Sequence, residues 1–338
     1  TGRGSSGQAY CPDIHRSCRT PTGTFHVIAK RGADCRSTRY PVGRGGSIQA
    51  SPIKIVALSH EIPVFTPTSL KTDPEIQKNL RYLNADLFVV VAYGKLIPQS
   101  ILDIPPHGVV NVHPSLLPRH RGPSPMQFAI AQGDVFTGVT IMLLDAGMDT
   151  GPILAFERID LSAEDTYTTL SQKVQSNGSR LLVETIKRHV RGEIIPLAQD
   201  DSKATLTHLL DREDGHVNWA ETMEIIERKS RAYSEWPGLW TMWSRSPGEQ
   251  VRLKILSIRP ADFLADRQPG TVTIKEDRLF VDCGNGTLEI LEIQPEGKAK
   301  MSAKDPYVPT RLSIKMVNTL FLSYPPPNAS NVSANASS

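Results

Sequence analysis

Two polar side chains interrupt an apolar strand pattern in the run VVNVHPSLLP, from Val109 to Pro118. Residues two apart in a strand point to the same face, so Asn111 and His113 project together while the valines between them point the other way. A loop bounded by prolines follows at once, and an open α/β sheet forms its ligand crevice at such carboxyl ends of strands. The spacing therefore predicts that both side chains belong to a site.

A second polar segment, DAGMDTG, follows the apolar run GVTIMLLD and contains Asp145 and Asp149. Gly147 and Gly151 flank Asp149 and permit a tight turn that brings its carboxylate back toward the imidazole of His113. The structural alternative is a satisfied core histidine and an ordinary Asp-Gly turn.

An amide, an imidazole and a carboxylate that converge suit acyl transfer to an amine. The imidazole takes a proton from the attacking amine. The amide N–H stabilises the oxyanion of the tetrahedral intermediate. The carboxylate orients the imidazole and favours its charged form. No Ser or Cys nucleophile is needed, because the substrate amine attacks.

The elements that must position these groups alternate between helix and strand. Ser51-Pro52, Asp73-Pro74 and Ser124-Pro125 each predict a helix start, and the apolar runs between them predict strands, of which ADLFVVVAYG is apolar enough to be covered on both faces. The long segment from Asp165 to Gly192 is predicted to be mostly helical. We therefore predict an α/β domain over residues 43–196, with a doubly wound, mostly parallel, Rossmann-like sheet.

The pattern changes after about Pro196. Residues 197–219 are polar and irregular and are predicted to be a linker. Residues 220–316 contain one helix, near 220–233, and the short strands RLKILSI, GTVTI, RLFVDC and TLEILEI, with a hairpin turn at Gly284-Asn285-Gly286. This predicts a smaller OB-like β-barrel. The low-complexity tail, 317–338, is predicted to be disordered.

The composition limits the class of protein and its surroundings. The 338 residues are 39% hydrophobic and 22% charged, and no apolar run is long enough for a bilayer, which predicts a soluble protein without a membrane partner. Four cysteines make no disulfide framework, so we expect a reducing compartment, the cytoplasm. Cys11, His15, Cys18 and Cys35 fit no common zinc spacing, and no metal is predicted.

NVHPSLLP followed by DAGMDTG resembles the formyltransferases that use 10-formyltetrahydrofolate, and similar segments cover most of Gly43 to Asp305. This resemblance implies 10-formyltetrahydrofolate as the formyl donor and makes Asn111, His113 and Asp149 the catalytic trio. It also implies four residues that line the folate site: Ser115, Leu116, Leu117 and Pro118.

The family contains purine, amino-sugar and tRNA branches, all of which share the trio. A purine enzyme would end near residue 200, whereas GKAKMSAKD after a β-rich segment favours the branch that formylates methionyl initiator tRNA. That branch implies Lys298, Lys300 and Lys304 as phosphate contacts and Arg44 as a contact to the acceptor stem. Solvated surface lysines are the alternative for each lysine, and an amino-sugar N-formyltransferase is the alternative function. We expect a monomer.

Residues 1–42 form a basic head without the strand and glycine-containing turn with which family members begin. We interpret this head as the result of a truncated or frame-shifted reading. The alternative is an organelle-targeting segment, which would place the protein in the mitochondrion. A catalytically inactive RNA-binding remnant is therefore a further alternative function.

Overall fold

The computed structural model describes residues 52–303 except 68, 95, 247–248 and 263–267, together with the backbone of three short strands before them. The chain divides into two compact units. One contains residues 1–211 and 231–235, and the other contains residues 212–230 and 236–338.

The first unit alternates strands with helices, as predicted. Its strands are β1 (Val27–Ile28), β2 (Arg39–Val42), β3 (Ser47–Ala50), β4 (Val64–Phe65), β5 (Phe88–Val91), β6 (Val109–His113), β7 (Phe136–Leu143) and β8 (Ile153–Asp160). Its helices are α1 (Pro52–Ser59), α2 (Pro74–Tyr82), α3 (Gln99–Leu102), α4 (Pro125–Gln132) and α5 (Tyr167–Val190). The predicted α/β class is confirmed.

Strands β5 to β8 form one sheet in chain order. The pair β5–β6 is parallel, whereas β7 runs antiparallel to both β6 and β8. The connection between β7 and β8, residues 144–152, is too short for a helical crossover, so these strands must form a hairpin. The described sheet is therefore mixed. β1 and β4 form a separate parallel pair, and β2 and β3 pair antiparallel.

The ends of the helices follow local chemistry. The Asp73 side chain accepts a hydrogen bond from the N–H of Ile76 at the start of α2. Thr166 and Thr169 form a reciprocal capping box at the start of α5. Gly133 ends α4 in the left-handed conformation, whereas the predicted Ser124 cap makes no side-chain hydrogen bond. None of the helices in the described residues is both long and apolar enough to cross a membrane.

Two expectations for this unit differ from the structure. Strand β5 is not covered on both faces, because Val89 and Val91 are 43% and 60% exposed. The first part of the predicted linker, residues 197–207, belongs to the first unit and pairs with the rest of it: Leu197 exchanges both backbone hydrogen bonds with Ile153, and Thr205 and Thr207 bond the backbone of Arg121. Polar residues that satisfy backbone groups cannot be told from loop residues by composition.

The second unit is an antiparallel sheet that follows helix α6 (Met223–Ala232) in the chain. Its strands are β9 (Leu239–Ser246), β10 (Glu249–Pro260), β11 (Val272–Lys275), β12 (Arg278–Cys283), β13 (Gly286–Pro295) and β14 (Met301–Ser302). The described strands lie in the order β11-β12-β13-β10-β9, and β14 also pairs with β13. Cys283 pairs with Gly286, which confirms the predicted hairpin turn. The tryptophan-rich strand β9 was not predicted.

Candidate active site

Strand β6 has two chemically different faces. On one face, Val112 lies against Gly178 of helix α5, and Val139 of the neighbouring strand meets the same glycine. The alternation of the strand directs Asn111 and His113 to the opposite face. There they stand beside Met142 and Thr140, their register partners on β7. The predicted pairing of these two side chains on one face follows from this register.

The imidazole of His113 is almost fully buried, at 3% exposure, and both of its nitrogens face polar groups. Its Nε2 atom lies 2.9 Å from the backbone carbonyl oxygen of His120. A carbonyl only accepts, so Nε2 donates and carries the hydrogen. In the neutral ring this leaves Nδ1 as the basic atom, and Nδ1 lies 3.6 Å from Oδ2 of Asp149.

Asp149 reaches His113 because its loop turns back sharply. The residue has φ of +56°, in the left-handed region. Its Oδ2 accepts a hydrogen bond of 2.8 Å from the N–H of Gly122. Gly151 packs its Cα directly against the carbonyl of Leu143, where a side chain would clash. The predicted turn of the Asp149 carboxylate toward the imidazole is present.

Asp145 has a different part in the same loop. Its Oδ1 accepts hydrogen bonds from the N–H of Gly147, at 3.0 Å, and from the hydroxyl of Thr150, at 2.7 Å. Both contacts lie within the loop, so Asp145 shapes the turn that carries Asp149.

Two opposing effects act on the pKa of His113. Burial lowers the pKa from its ordinary value of 6.5, and this effect is the larger one. The Asp149 carboxylate and the carbonyl of His120 oppose it, whereas the imidazole of His120 adds to it. The carboxylate thus favours the charged form, as predicted, yet the net pKa is lowered. The ring is therefore neutral at pH 7 and able to accept a proton.

The carboxamide of Asn111 is half-buried on the same face. Within the described part of the chain no group hydrogen-bonds this side chain, so its N–H donors are available to a ligand oxygen. An available amide beside a neutral imidazole is the arrangement that stabilisation of an oxyanion with concurrent proton transfer requires.

The loop after β6 contains the four residues predicted to line the folate site. Ser115 is fully buried, and its hydroxyl donates to the carbonyl of Arg119 at 2.6 Å. Leu117 is buried in a cluster with Met142. Leu116 and Pro118 are half-buried. Contact with a ligand at this loop would therefore fall to Leu116, Pro118 and the backbone, and the assignment of all four stays a prediction.

Several residues near the site were missed by the sequence analysis. Loop 119–122 is held by Thr205, whose hydroxyl accepts from the N–H of His120 at 2.8 Å, and by Gln199, which accepts from the guanidinium of Arg121. His120 itself is buried and bonds Asp134 at 2.7 Å. These residues lie far apart in the chain within polar segments, so no local spacing could have indicated them.

The predicted nucleic-acid contacts lie elsewhere. Lys298 and Lys300 are exposed residues of the second unit, and Lys300 lies 3.8 Å from Glu292. Arg44, Lys304 and the tail 317–338 lie outside the described residues, as do the four residues weighed as metal ligands. The part of the chain that is described holds no group of three His, Cys, Asp or Glu side chains that could bind a metal ion.

Comparison with known families agrees with the fold and this site. Residues 13–186 match the formyl transferase family, and residues 209–307 match the formyl transferase C-terminal domain. The chain therefore belongs to the formyl transferase family, as the sequence resemblance implied. The first match includes much of the segment 1–42 that the sequence analysis set apart.

The relatives of this chain carry a more specific name. This chain is 46% identical over 266 residues to methionyl-tRNA formyltransferase of Roseiflexus sp. (strain RS-1). The alignment covers 78% of this chain and 80% of the relative. The chain is 41% identical to methionyl-tRNA formyltransferase of Marinobacter nauticus, over 78% of this chain and 84% of the relative.

Solved structures share the fold at low identity. The sugar 3N-formyl transferase WlaRD, crystallised with dTDP and 5-N-formyl-THF, has a TM-score of 0.56 at 16% identity and covers 81% of this chain and 88% of its own. HypX from Aquifex aeolicus in complex with tetrahydrofolic acid has a TM-score of 0.54 at 18% identity, over 73% of this chain and 42% of its own.

Proposed function

We propose that this protein transfers the formyl group of 10-formyltetrahydrofolate to the free amino group of methionyl initiator tRNA, for translation initiation. The observation that carries the proposal is that Asn111 and His113 share one face of β6, with Asp149 beside the imidazole, in a chain that is 46% identical to a methionyl-tRNA formyltransferase. The donor supplies an electrophilic formyl carbon when it is bound. No metal takes part in the proposed step.

His113 and Asp149 have separate roles in the proton transfer. His113 accepts the proton that the attacking amine loses, at Nδ1, because Nε2 already donates to the carbonyl of His120. The carboxylate of Asp149, 3.6 Å from Nδ1, stabilises the imidazolium that results. His113 then returns this proton to the departing nitrogen of the donor, so that the proton balance closes.

Asn111 stabilises the negative charge that develops during the reaction. Its N–H donors are free in the described residues and half-exposed, so they can bind the formyl oxygen as negative charge develops there. The buried surroundings of His113 strengthen these electrostatic contacts, because charges interact more strongly where water is excluded.

We assign recognition of the tRNA to the second unit and to Arg44. Exposed Lys298 and Lys300, with Lys304, are the proposed phosphate contacts, and Arg44 is the proposed contact to the acceptor stem. Guanidinium pairs with phosphate in a bidentate way, so Arg44→Ala should weaken the use of tRNA by about 1–3 kcal/mol and spare the folate site. We propose that the protein acts as a monomer in the cytoplasm.

The test is a comparison of acceptors with the full chain. We expect the formyl group to be transferred to methionyl initiator tRNA, with little release of formate when tRNA is left out. Transfer to a nucleotide-linked amino sugar in preference to the tRNA would favour the sugar enzyme. Binding of tRNA without transfer to either acceptor would indicate an inactive RNA-binding protein.

A further inference from the structure

Gln199 connects the two loops that form the site. Its Nε2 donates to the backbone carbonyls of Asp149 and Gly151, at 2.8 and 2.7 Å. Its Oε1 accepts from Nε and Nη2 of Arg121, at 3.0 and 2.8 Å. A primary amide has two N–H donors and one acceptor oxygen, so the side chain is fully used.

The loop that contains Arg121, residues 119–122, is the one that holds His113. Arg121 is buried, at 5% exposure, and stands between His120, whose carbonyl accepts from His113, and Gly122, whose N–H donates to Asp149. The other partner of Arg121 is Asp201, which is 84% exposed and therefore binds through a solvated carboxylate. Gln199 is thus the inner of the two anchors of Arg121.

The loop of Asp149 needs such an anchor. A left-handed conformation is strained at a residue with a side chain, and it persists only where the surroundings hold it. Gln199 holds the backbone carbonyl of Asp149, while Gly122 holds its carboxylate. The carboxylate is fixed toward His113 between these two contacts.

We propose that Gln199 is a positioning residue that keeps the carboxylate of Asp149 facing Nδ1 of His113 during formyl transfer. The proposal rests on the function proposed above for this site. Gln199 does not need to touch the substrate, because its whole hydrogen-bonding capacity is spent on the two loops.

The segment around Gln199 has other attachments, which makes a clean test feasible. Leu197 exchanges two backbone hydrogen bonds with Ile153, and Thr207 donates its N–H to the carbonyl of Arg121 at 2.8 Å. Removal of the Gln199 amide should therefore leave the segment in place while it releases the Asp149 loop.

Two substitutions and one control test the assignment in the full chain. Gln199→Leu removes all four contacts, and Gln199→Glu keeps an acceptor for Arg121 but places a carboxylate against the two carbonyls. We expect both to lower kcat about 10-fold or more with little change in KM for methionyl-tRNA, since misplaced groups slow the chemistry. The control, Asp201→Ala, removes only the exposed partner of Arg121 and should stay within about 2-fold of the wild type.

A second readout does not depend on the proposed function. We would follow the titration of the His113 imidazole by ¹⁵N NMR without substrates, in the wild type and in Gln199→Leu, which adds no charge. The groups that act on this ring are Asp149, the carbonyl and imidazole of His120, and, behind His120, Asp134. Because Asp149 opposes the effect of burial, its release should move the titration to lower pH.

The outcomes separate the two proposals. A wild type that does not formylate tRNA would overturn the proposed function, while the NMR titration would still report on Gln199. Wild-type kcat in both folded variants, together with a wild-type His113 titration in Gln199→Leu, would overturn the positioning role. An effect of Asp201→Ala as large as that of Gln199→Leu would also overturn it, because Arg121 and not the Asp149 loop would then be responsible.

Discussion

The backbone carbonyl of His120 accepts a hydrogen bond from Nε2 of His113, which leaves Nδ1 as the atom that exchanges a proton. The same histidine ring faces Asp149 through Nδ1, at 3.6 Å. A ring that is buried and held in this way has one orientation and one basic atom. The pH dependence of the site should therefore report on His113.

The first prediction concerns that pH dependence. His113 must be neutral to accept a proton, and burial lowers its pKa below 6.5. Once the ionisation of the substrate amine, at about 7.7–8.0 for an α-amino group, is accounted for, the enzyme's own contribution to kcat/KM should decline only below the ordinary histidine range. Asp149→Asn removes the charge that raises this pKa, so the decline should move to still lower pH and kcat should fall. An enzyme ionisation at or above 6.5 in the wild type, apart from that of the substrate amine, would contradict the assignment.

The second prediction concerns Asn111. Asn111→Ala should lower kcat about 10²-fold or more, which is the scale of one oxyanion donor. The affinity for tRNA, measured by filter binding, and the free energy of unfolding should change little, because no described group hydrogen-bonds this amide. Near-normal kcat would remove Asn111 from the mechanism.

The third prediction uses two glycines with positive φ. Gly122 has φ of +106°, and an added Cβ would lie 2.6 Å from the carbonyl oxygen of Thr207. Gly192 has φ of +72° with nothing within 4 Å of an added Cβ. Gly192→Ala should cost about 1 kcal/mol of unfolding free energy, from backbone conformation alone. Gly122→Ala should cost more in urea unfolding and should also lower kcat, because Gly122 holds Asp149. Equal costs and normal activity would show that the loop tolerates displacement.

The fourth prediction concerns a buried carboxylate in the second unit. Glu289 accepts hydrogen bonds from Arg278 and Arg259. The contact with Arg278 has the larger effect, and together they hold the pKa of Glu289 at about 2, although burial acts to raise it. Its folded-state pKa is below the ordinary 4.5, so its contribution to stability is present above pH 4.5 and is lost as pH falls toward about 2. Glu289→Gln should cost about 2–4 kcal/mol at pH 7, and the difference from the wild type should shrink across that window.

The control for this substitution is the exposed pair formed by Lys300 and Glu292. Glu292→Gln should change the unfolding free energy by less than about 1 kcal/mol at the same pH, since exposed ion pairs contribute little. A loss at Glu289 as small as this would mean that water compensates the two arginines.

The fifth prediction tests the proposed tRNA surface. Each phosphate contact releases counterions when it forms. The double substitution Lys298→Ala with Lys300→Ala should therefore reduce the magnitude of the slope of log K against log salt concentration by about 1–2. It should weaken binding and leave kcat unchanged at saturating tRNA. Lys71→Ala, at an exposed lysine of the first unit, is the control and should leave the salt dependence as it is. An unchanged slope in the double variant would place the phosphate path elsewhere.

The parts of this site that depend on local spacing were predictable from the sequence. Strand alternation placed Asn111 and His113 on one face, and the glycines around Asp149 indicated a turn toward the imidazole. Both inferences use geometry that is fixed within a few residues. The antiparallel course of β7 was not inferred, because an apolar run gives no information about strand direction.

The supporting contacts could not be predicted for a different reason. Gln199, Thr205 and Thr207 act through long-range hydrogen bonds to backbone groups, and such bonds leave no periodic signal in a sequence. The same polar residues in the same order would suit a solvated linker. The pairing of this segment with Arg121 is visible only once the chain is folded.

The pairing of residues 197–207 with the loops of the site has a consequence for synthesis. All strands and helices of the first unit's sheet lie before residue 191. The hydrogen bonds that hold the two loops of the site come from later residues, Gln199, Thr205 and Thr207. Since domains fold from the amino terminus as they leave the ribosome, a nascent chain can complete its sheet before its site is organised. Activity should therefore appear later in translation than the sheet, and not before the chain has emerged beyond Thr207.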